Sequence, residues 1–267
     1  MARGWFLAMV MVAGAVLAPA AANAARATVA VAANFLATAE DLAARFEAAT
    51  GHELVLIHGA TGALYAKIRA GAPYDLFLAA DAERPRRLEA EGLLAPGGRR
   101  AYALGRLALA GRGVDAGSDW RALLADAGRR LAIANPETAP YGVAAREVLI
   151  ALRGPERWSE GVIFGESVGQ ALAFVVTGNA PLGLVSLAQA LEVAGRLGHV
   201  PIPPELHAPI LQEAALTLRG GRNPAARAFF DFLQSGEARA IIAAAGYGLP
   251  VPTEAMREPT EDAEAGR

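Results

Sequence analysis

From residue 28 onward, apolar runs alternate with amphipathic stretches in a regular order. Residues 28–33 are apolar enough to be a buried strand, and 36–50 carry apolar positions at helical spacing up to Gly51, a residue suited to ending a helix in the left-handed conformation. Residues 53–57 predict a second strand, 63–70 a helix closed by Gly71, 75–79 (DLFLA) a third strand, and 82–91 a helix closed by Gly92. Strands alternating with helices in this way predict a parallel sheet with helical crossovers.

The pattern breaks at Pro96-Gly97-Gly98, after which residues 102–110 (YALGRLALA) predict one long strand. A second set of units follows: strand 131–134, helix 143–152, strand 162–164, helix 170–176, strand 182–185 and helix 188–194. Beyond the proline-rich residues 201–204, a further long strand is expected over 210–218, then helices over 225–234 and 237–245. Two long β runs flanking the middle set predict a chain that crosses into a second lobe and returns, with a ligand held between the lobes. The chain is 54% hydrophobic but only 6% aromatic, so its cores must be built from Ala, Leu and Val.

Several small, amide-rich segments stand where a predicted strand ends and a helix begins. Two fall in the first set of units, Ala32-Ala33-Asn34-Phe35 and Gly59-Ala60-Thr61-Gly62. Three fall in the second: residues 135–142 (NPETAPYG), Glu166-Ser167-Val168-Gly169-Gln170, and Gly183-Leu184-Val185-Ser186. In open α/β sheets ligands bind at the carboxyl ends of the strands. The free N–H groups of a helix start, reinforced by the helix dipole, form an anion site without lysine or arginine. Several such starts converging would enclose a small, fully ionised oxyanion.

Residues 1–24 combine Arg3, an apolar run over 6–17 and Ala22-Asn23-Ala24, the pattern of a cleavable secretory signal; an uncleaved anchor is the alternative. Its removal leaves 24 basic against 27 acidic residues, a balance that argues against a nucleic-acid or anionic-membrane surface. With no cysteine there is neither a lipid attachment site nor a disulfide framework. The four histidines, His52, His58, His199 and His207, lack metal-ligand spacing. There is no nucleophile elbow and no phosphate-binding glycine loop. Asp75, Asp81, Glu137 and Glu166 lie beside the segments, where an inward carboxylate would repel an anion, so most are expected to face solvent or cap helices. Asn34 reads equally as a helix cap, Thr61 as part of a plain turn and Tyr141 as a core aromatic.

The stretches VAVAANF, HGATGALYAKIRAGAPYDLFLAAD, NPETAPYGVAAREVL, ESVGQAL and APLGLVSLAQA, with the later RAFFDFL and AAGYGLP, resemble the periplasmic molybdate-binding proteins of molybdate ABC transporters, in order and with matching spacing up to about Pro250. The resemblance implies an α/β, two-lobed type II periplasmic-binding-protein fold, each lobe a mixed, mainly parallel sheet flanked by helices, with two crossing hinge strands. Between the signal peptide (1–24) and an acidic tail (254–267) whose small, polar composition predicts disorder, the expected division is a first lobe (25–104 and 212–253) and a second lobe (105–211). The resemblance implies capture of molybdate or tungstate in the periplasm, delivery to a membrane permease, no cofactor, no nucleic acid and a monomer. The family's ligand positions fall on Ala33, Asn34, Thr61, Tyr141, Val168 and Ser186, with no direct metal ligand. Other members carry Ala where Tyr141 stands and Tyr where Ser186 stands, so either of these two side chains can supply the last donor. The rival expectations are a carrier of sulfate, thiosulfate or ferric iron, and a cyclohexadienyl-dehydratase-like enzyme on the same fold with Glu137 or Glu166 as general acid.

Overall fold

The computed structural model describes residues 24–250; the expected signal peptide, Ala24 apart, and the acidic tail lie outside the described residues. The chain lays down β1 (Arg26–Ala32), α1 (Leu36–Thr50), β2 (Glu53–Gly59), α2 (Thr61–Arg69), β3 (Leu76–Leu78), α3 (Glu83–Ala90) and β4 (Leu94–Gly105). It then forms β5 (Leu107–Gly111), α4 (Trp120–Ala125), β6 (Leu131–Ala134), α5 (Pro140–Arg153), β7 (Val162–Gly165), α6 (Val168–Val176), β8 (Leu182–Ser186), α7 (Leu187–Glu192) and β9 (Gly198–Pro201). It ends with β10 (Ile210–Thr217), α8 (Pro224–Phe232) and α9 (Gly236–Ala244).

Two five-stranded sheets result, in the orders β2-β1-β3-β10-β4 and β7-β6-β8-β5-β9. Each has a parallel trio followed by an antiparallel strand, β10 in the first and β5 in the second. The two halves therefore repeat one topology, and each is the core of a lobe. The expected single strand over 102–110 is in fact two: Tyr102 to Gly105 pair in the first sheet, Leu107 onward in the second, and Arg106 alone joins them. Apolar alternation runs unbroken across Arg106 because both halves are buried, and periodicity carries no record of which sheet a strand joins.

The expected break at Pro96-Gly97-Gly98 lies inside β4. β4 is an edge strand, so the missing N–H of Pro96 costs no ladder bond on its open side, and Gly97 takes φ +65° where the pairing with β10 shifts register. Gly51, Gly71 and Gly92 take the left-handed conformation expected of helix-ending glycines. The short strand β9 and helix α4 went unpredicted, each too brief to show a period.

The first lobe packs Val29, Val31, Leu42, Phe46, Leu76 and Phe229 on one face of its sheet and Ala30, Leu64, Phe77 and Leu88 on the other. The second is built on Leu109, Ile133, Val148 and Leu184. The few aromatic residues are concentrated where they matter: Phe35, fully buried, meets Tyr102 edge-on at 4.7 Å and Tyr247 at 5.2 Å, fixing the tight 3-10 turn Ala33–Phe35 that follows β1.

Asp75 departs from expectation. It neither faces solvent nor caps a helix; it is buried, accepting from the Thr28 N–H at 2.8 Å and from Arg219 Nε at 2.9 Å, and so ties β1 to the exit of β10. Asp75→Ala should lower unfolding stability by about 1.5–3 kcal/mol, because the Thr28 N–H loses an ionised acceptor. Arg219→Ala, which removes only a largely exposed partner, should cost at most about 1 kcal/mol. Urea titration of both variants checks the order.

Candidate functional site

The ends of β1 and β2 lie side by side, Ala32 opposite Gly59, and so do the ends of β6 and β7, Ala134 opposite Gly165. A helical segment starts just beyond each: the turn at Ala33, α2 at Thr61, α5 at Pro140 and α6 at Val168. Pro140 occupies the first turn of α5, where its missing N–H is no loss, and Ser167 caps α6 by accepting from the Gln170 N–H at 3.3 Å. The Ser-x-x-Gln spacing at 167–170 was legible in the sequence as a helix start.

These four starts enclose a small cavity lined by Ala33, Asn34, Gly59, Ala60, Thr61, Ala80, Ala139, Pro140, Tyr141, Ser167 and Val168. The lobes touch around it: the Gly62 N–H donates to Thr138 O at 2.9 Å, and Arg84 Nη2 lies 3.4 Å from Glu137 O. Among the described residues, the backbone N–H groups of Asn34, Thr61, Tyr141 and Val168 find no protein acceptor. Buried N–H groups without partners are rare, because each carries a desolvation cost. Two hydroxyls add to them. Thr61 Oγ1 accepts from the Ala80 N–H at 3.3 Å and Ser167 Oγ from Gln170, so each keeps its own proton to donate.

The side chain of Asn34 has other work. Its Nδ2 donates to Gln212 Oε1 at 3.0 Å and Tyr247 Oη at 3.2 Å, while Tyr247 donates back to Asn34 O at 2.6 Å. It caps no helix. Both amide protons are used within the protein, so the donor Asn34 offers to the cavity is its main-chain N–H. Tyr141 is similar: its phenol oxygen accepts from Gln212 Nε2 at 3.3 Å, and burial pushes its pKa up to about 12, so the ring stays neutral at ordinary pH. Ser186 is buried beside this phenol without a well-formed hydrogen bond, and it does not line the cavity.

Besides the Ser167 hydroxyl, sequence reasoning missed Gln212, at the start of β10. Fully buried, it accepts from Asn34 and from Tyr102 at 3.0 Å, and donates to Tyr141 of the other lobe. A lone glutamine in an apolar run gives no sign of such a role.

None of the cavity-lining residues is a carboxylate, a lysine, an arginine or a histidine. Glu137 and Glu166 are exposed, Glu137 4.0 Å from Arg146, and His58 is exposed as well. Asp81 is held at the rim by Arg84. A neutral enclosure of N–H and O–H donors at helix starts is suited to a small anion and offers no general acid or base.

Residues 27–248 match the model of the bacterial extracellular solute-binding protein family. The molybdate-binding protein ModA of Azotobacter vinelandii is 43% identical over 90% of this chain and 97% of its own length. That of Rhodobacter capsulatus is 40% identical over 92% and 96%. The solved structure of the Azotobacter vinelandii periplasmic molybdate-binding protein superposes with a TM-score of 0.78 at 38% identity, covering 84% of this chain and all of the other.

The start of α5 depends on Gly142, where a Cβ would stand 2.3 Å from Ala134 O and 2.8 Å from the Asn135 carbonyl carbon. Both neighbours are backbone and cannot step aside. Gly142→Ala should therefore destabilise the fold by about 1–3 kcal/mol, read from the urea midpoint.

Proposed function

The chain belongs to the bacterial extracellular solute-binding proteins and, among them, to the molybdate-binding family; from that membership we propose that it captures molybdate or tungstate between its lobes through helix-start donors and delivers it to an ABC permease. Its family is one of binding proteins, not enzymes. The observation that carries the reading is the cavity in which the N–H groups of Asn34, Thr61, Tyr141 and Val168, two from each lobe, lack any protein acceptor and face no carboxylate.

A tetrahedral dianion fits this inventory. Each oxygen accepts from N–H or O–H groups, and hydrogen bonds to an ionised acceptor are shorter and roughly twice as strong as neutral ones. Hydrogen phosphate carries a proton, and no carboxylate or imidazole lines the cavity to receive it. Sulfate has the right charge but a smaller tetrahedron, which would leave part of the donor set unfilled. The dehydratase reading is not supported, because Glu137 and Glu166 are exposed rather than aimed into the cavity. Ala33 shapes the wall, the Thr61 and Ser167 hydroxyls join the four N–H donors, and Tyr141 acts through its main chain while its phenol holds Gln212. The leader over residues 1–24 would place the protein in the periplasm, where it would work as a monomer.

Isothermal titration should show tight binding of molybdate and tungstate and weak binding of sulfate and phosphate; sulfate bound as tightly as molybdate would sink the reading. Affinity should be flat from about pH 6 to 9, since no group lining the cavity ionises there. Tyr141 is an acid whose folded pKa is raised to about 12, so its contribution to stability is complete below the unfolded value and fades only as pH climbs towards the folded one.

Single substitutions apportion the donors. Thr61→Val, which removes a hydroxyl facing the anion, should weaken binding about ten- to a hundredfold. Ser186→Ala should leave affinity unchanged. Tyr141→Phe should lower thermal stability more than affinity, because the buried Gln212 Nε2 then loses its acceptor. A large affinity loss in Tyr141→Phe with little loss of stability would instead assign the phenol to the ligand.

A further inference from the structure

Gln189, in the short helix α7 of the second lobe, is buried, and its Nε2 donates across the cleft to Ala33 O of the first lobe at 3.2 Å. Its own carbonyl oxygen is buried and finds no donor among the described residues. A half-satisfied buried amide is a costly way to fill space that Met or Leu would fill without penalty. The amide is therefore explained by what its N–H does.

That N–H acts on one particular peptide. Ala33 O and the Asn34 N–H belong to the same planar unit, and in a trans peptide the two point in opposite directions. A hydrogen bond holding Ala33 O towards α7 sets the Asn34 N–H facing the other way. Ala33 and Asn34 line the cavity, and Gln189 does not.

Resting on the function proposed above, we infer that Gln189 is a positioning residue: α7 packs against the first lobe, with Ala188 in that lobe's core, and from there the Gln189 amide fixes and polarises the peptide whose N–H serves the anion, which slows release of the ligand.

The test compares wild type with Gln189→Met, which keeps length and loses the N–H, and Gln189→Glu, which keeps shape and sets a carboxylate oxygen against Ala33 O. Release of radiolabelled molybdate into excess unlabelled molybdate should be about three- to tenfold faster in Gln189→Met, and faster still in Gln189→Glu, with association rates unchanged. The ligand-free urea midpoint of Gln189→Met should stay close to wild type, because the substitution removes an unpartnered buried oxygen along with the N–H. If both variants release molybdate at the wild-type rate, or if the ligand-free midpoint of Gln189→Met falls as far as the liganded one, Gln189 is ordinary packing and the inference is overturned. Failure of the wild type to bind molybdate would strike the proposed function instead, and so the two failures are distinguishable.

Discussion

A helix cannot satisfy the N–H groups of its own first turn, and everything distinctive about this molecule follows from where it leaves them. Four helical starts, two from each lobe, bring such groups to one small buried cavity and give them no protein acceptor. Burying those donors is tolerable only if something negative arrives to accept from them. Partial charges spread over four termini can hold a dianion without a mobile cation side chain, and the fold fixes their direction in advance.

The rest of the architecture keeps those termini in place. Phe35, clamped between Tyr102 and Tyr247, holds the turn at Asn34, and Gly142 lets α5 begin against the end of β6. Gln212 then links the lobes: its amide takes hydrogen bonds from Asn34 and Tyr102 on one side and gives one to Tyr141 on the other. It sits at the start of β10, one of the two crossings between sheets, beside Gly105, where a Cβ would fall 2.5 Å from Tyr141 Oη and 2.9 Å from Gln212 Nε2. The hinge region and the ligand cavity are thus parts of one buried polar network, and a change in lobe angle must disturb it.

Charge is kept at the rim. Asp81 is paired with Arg84, Arg84 reaches Glu137 O of the other lobe, and Glu137 itself turns out towards Arg146. With no ionisable wall other than the neutral Tyr141, the interior favours a dianion through dipoles alone.

Much of this was legible in the chain. Strand and helix order, the glycines that end α1, α2 and α3, and the strand-to-helix positions of Asn34, Thr61, Tyr141 and Val168 follow from local periodicity and turn chemistry, which are properties of neighbouring residues. What the sequence could not contain is which groups meet across long separations. Apolar alternation did not reveal that the run through Arg106 divides between two sheets, nor that Pro96-Gly97-Gly98 could lie within an edge strand. Ser186 and Ser167 look alike as helix-start serines, and only the packing of the lobes put Ser167 on the cavity wall and Ser186 behind it. Asn34 and Tyr141 both line the cavity, but their side chains are engaged by Gln212, 178 and 71 residues away in the chain, a pairing that local pattern cannot show. Local sequence determined where the helices start; tertiary packing decided which of their donors were left for a ligand, because hydrogen-bond partners are allotted in space and not along the chain.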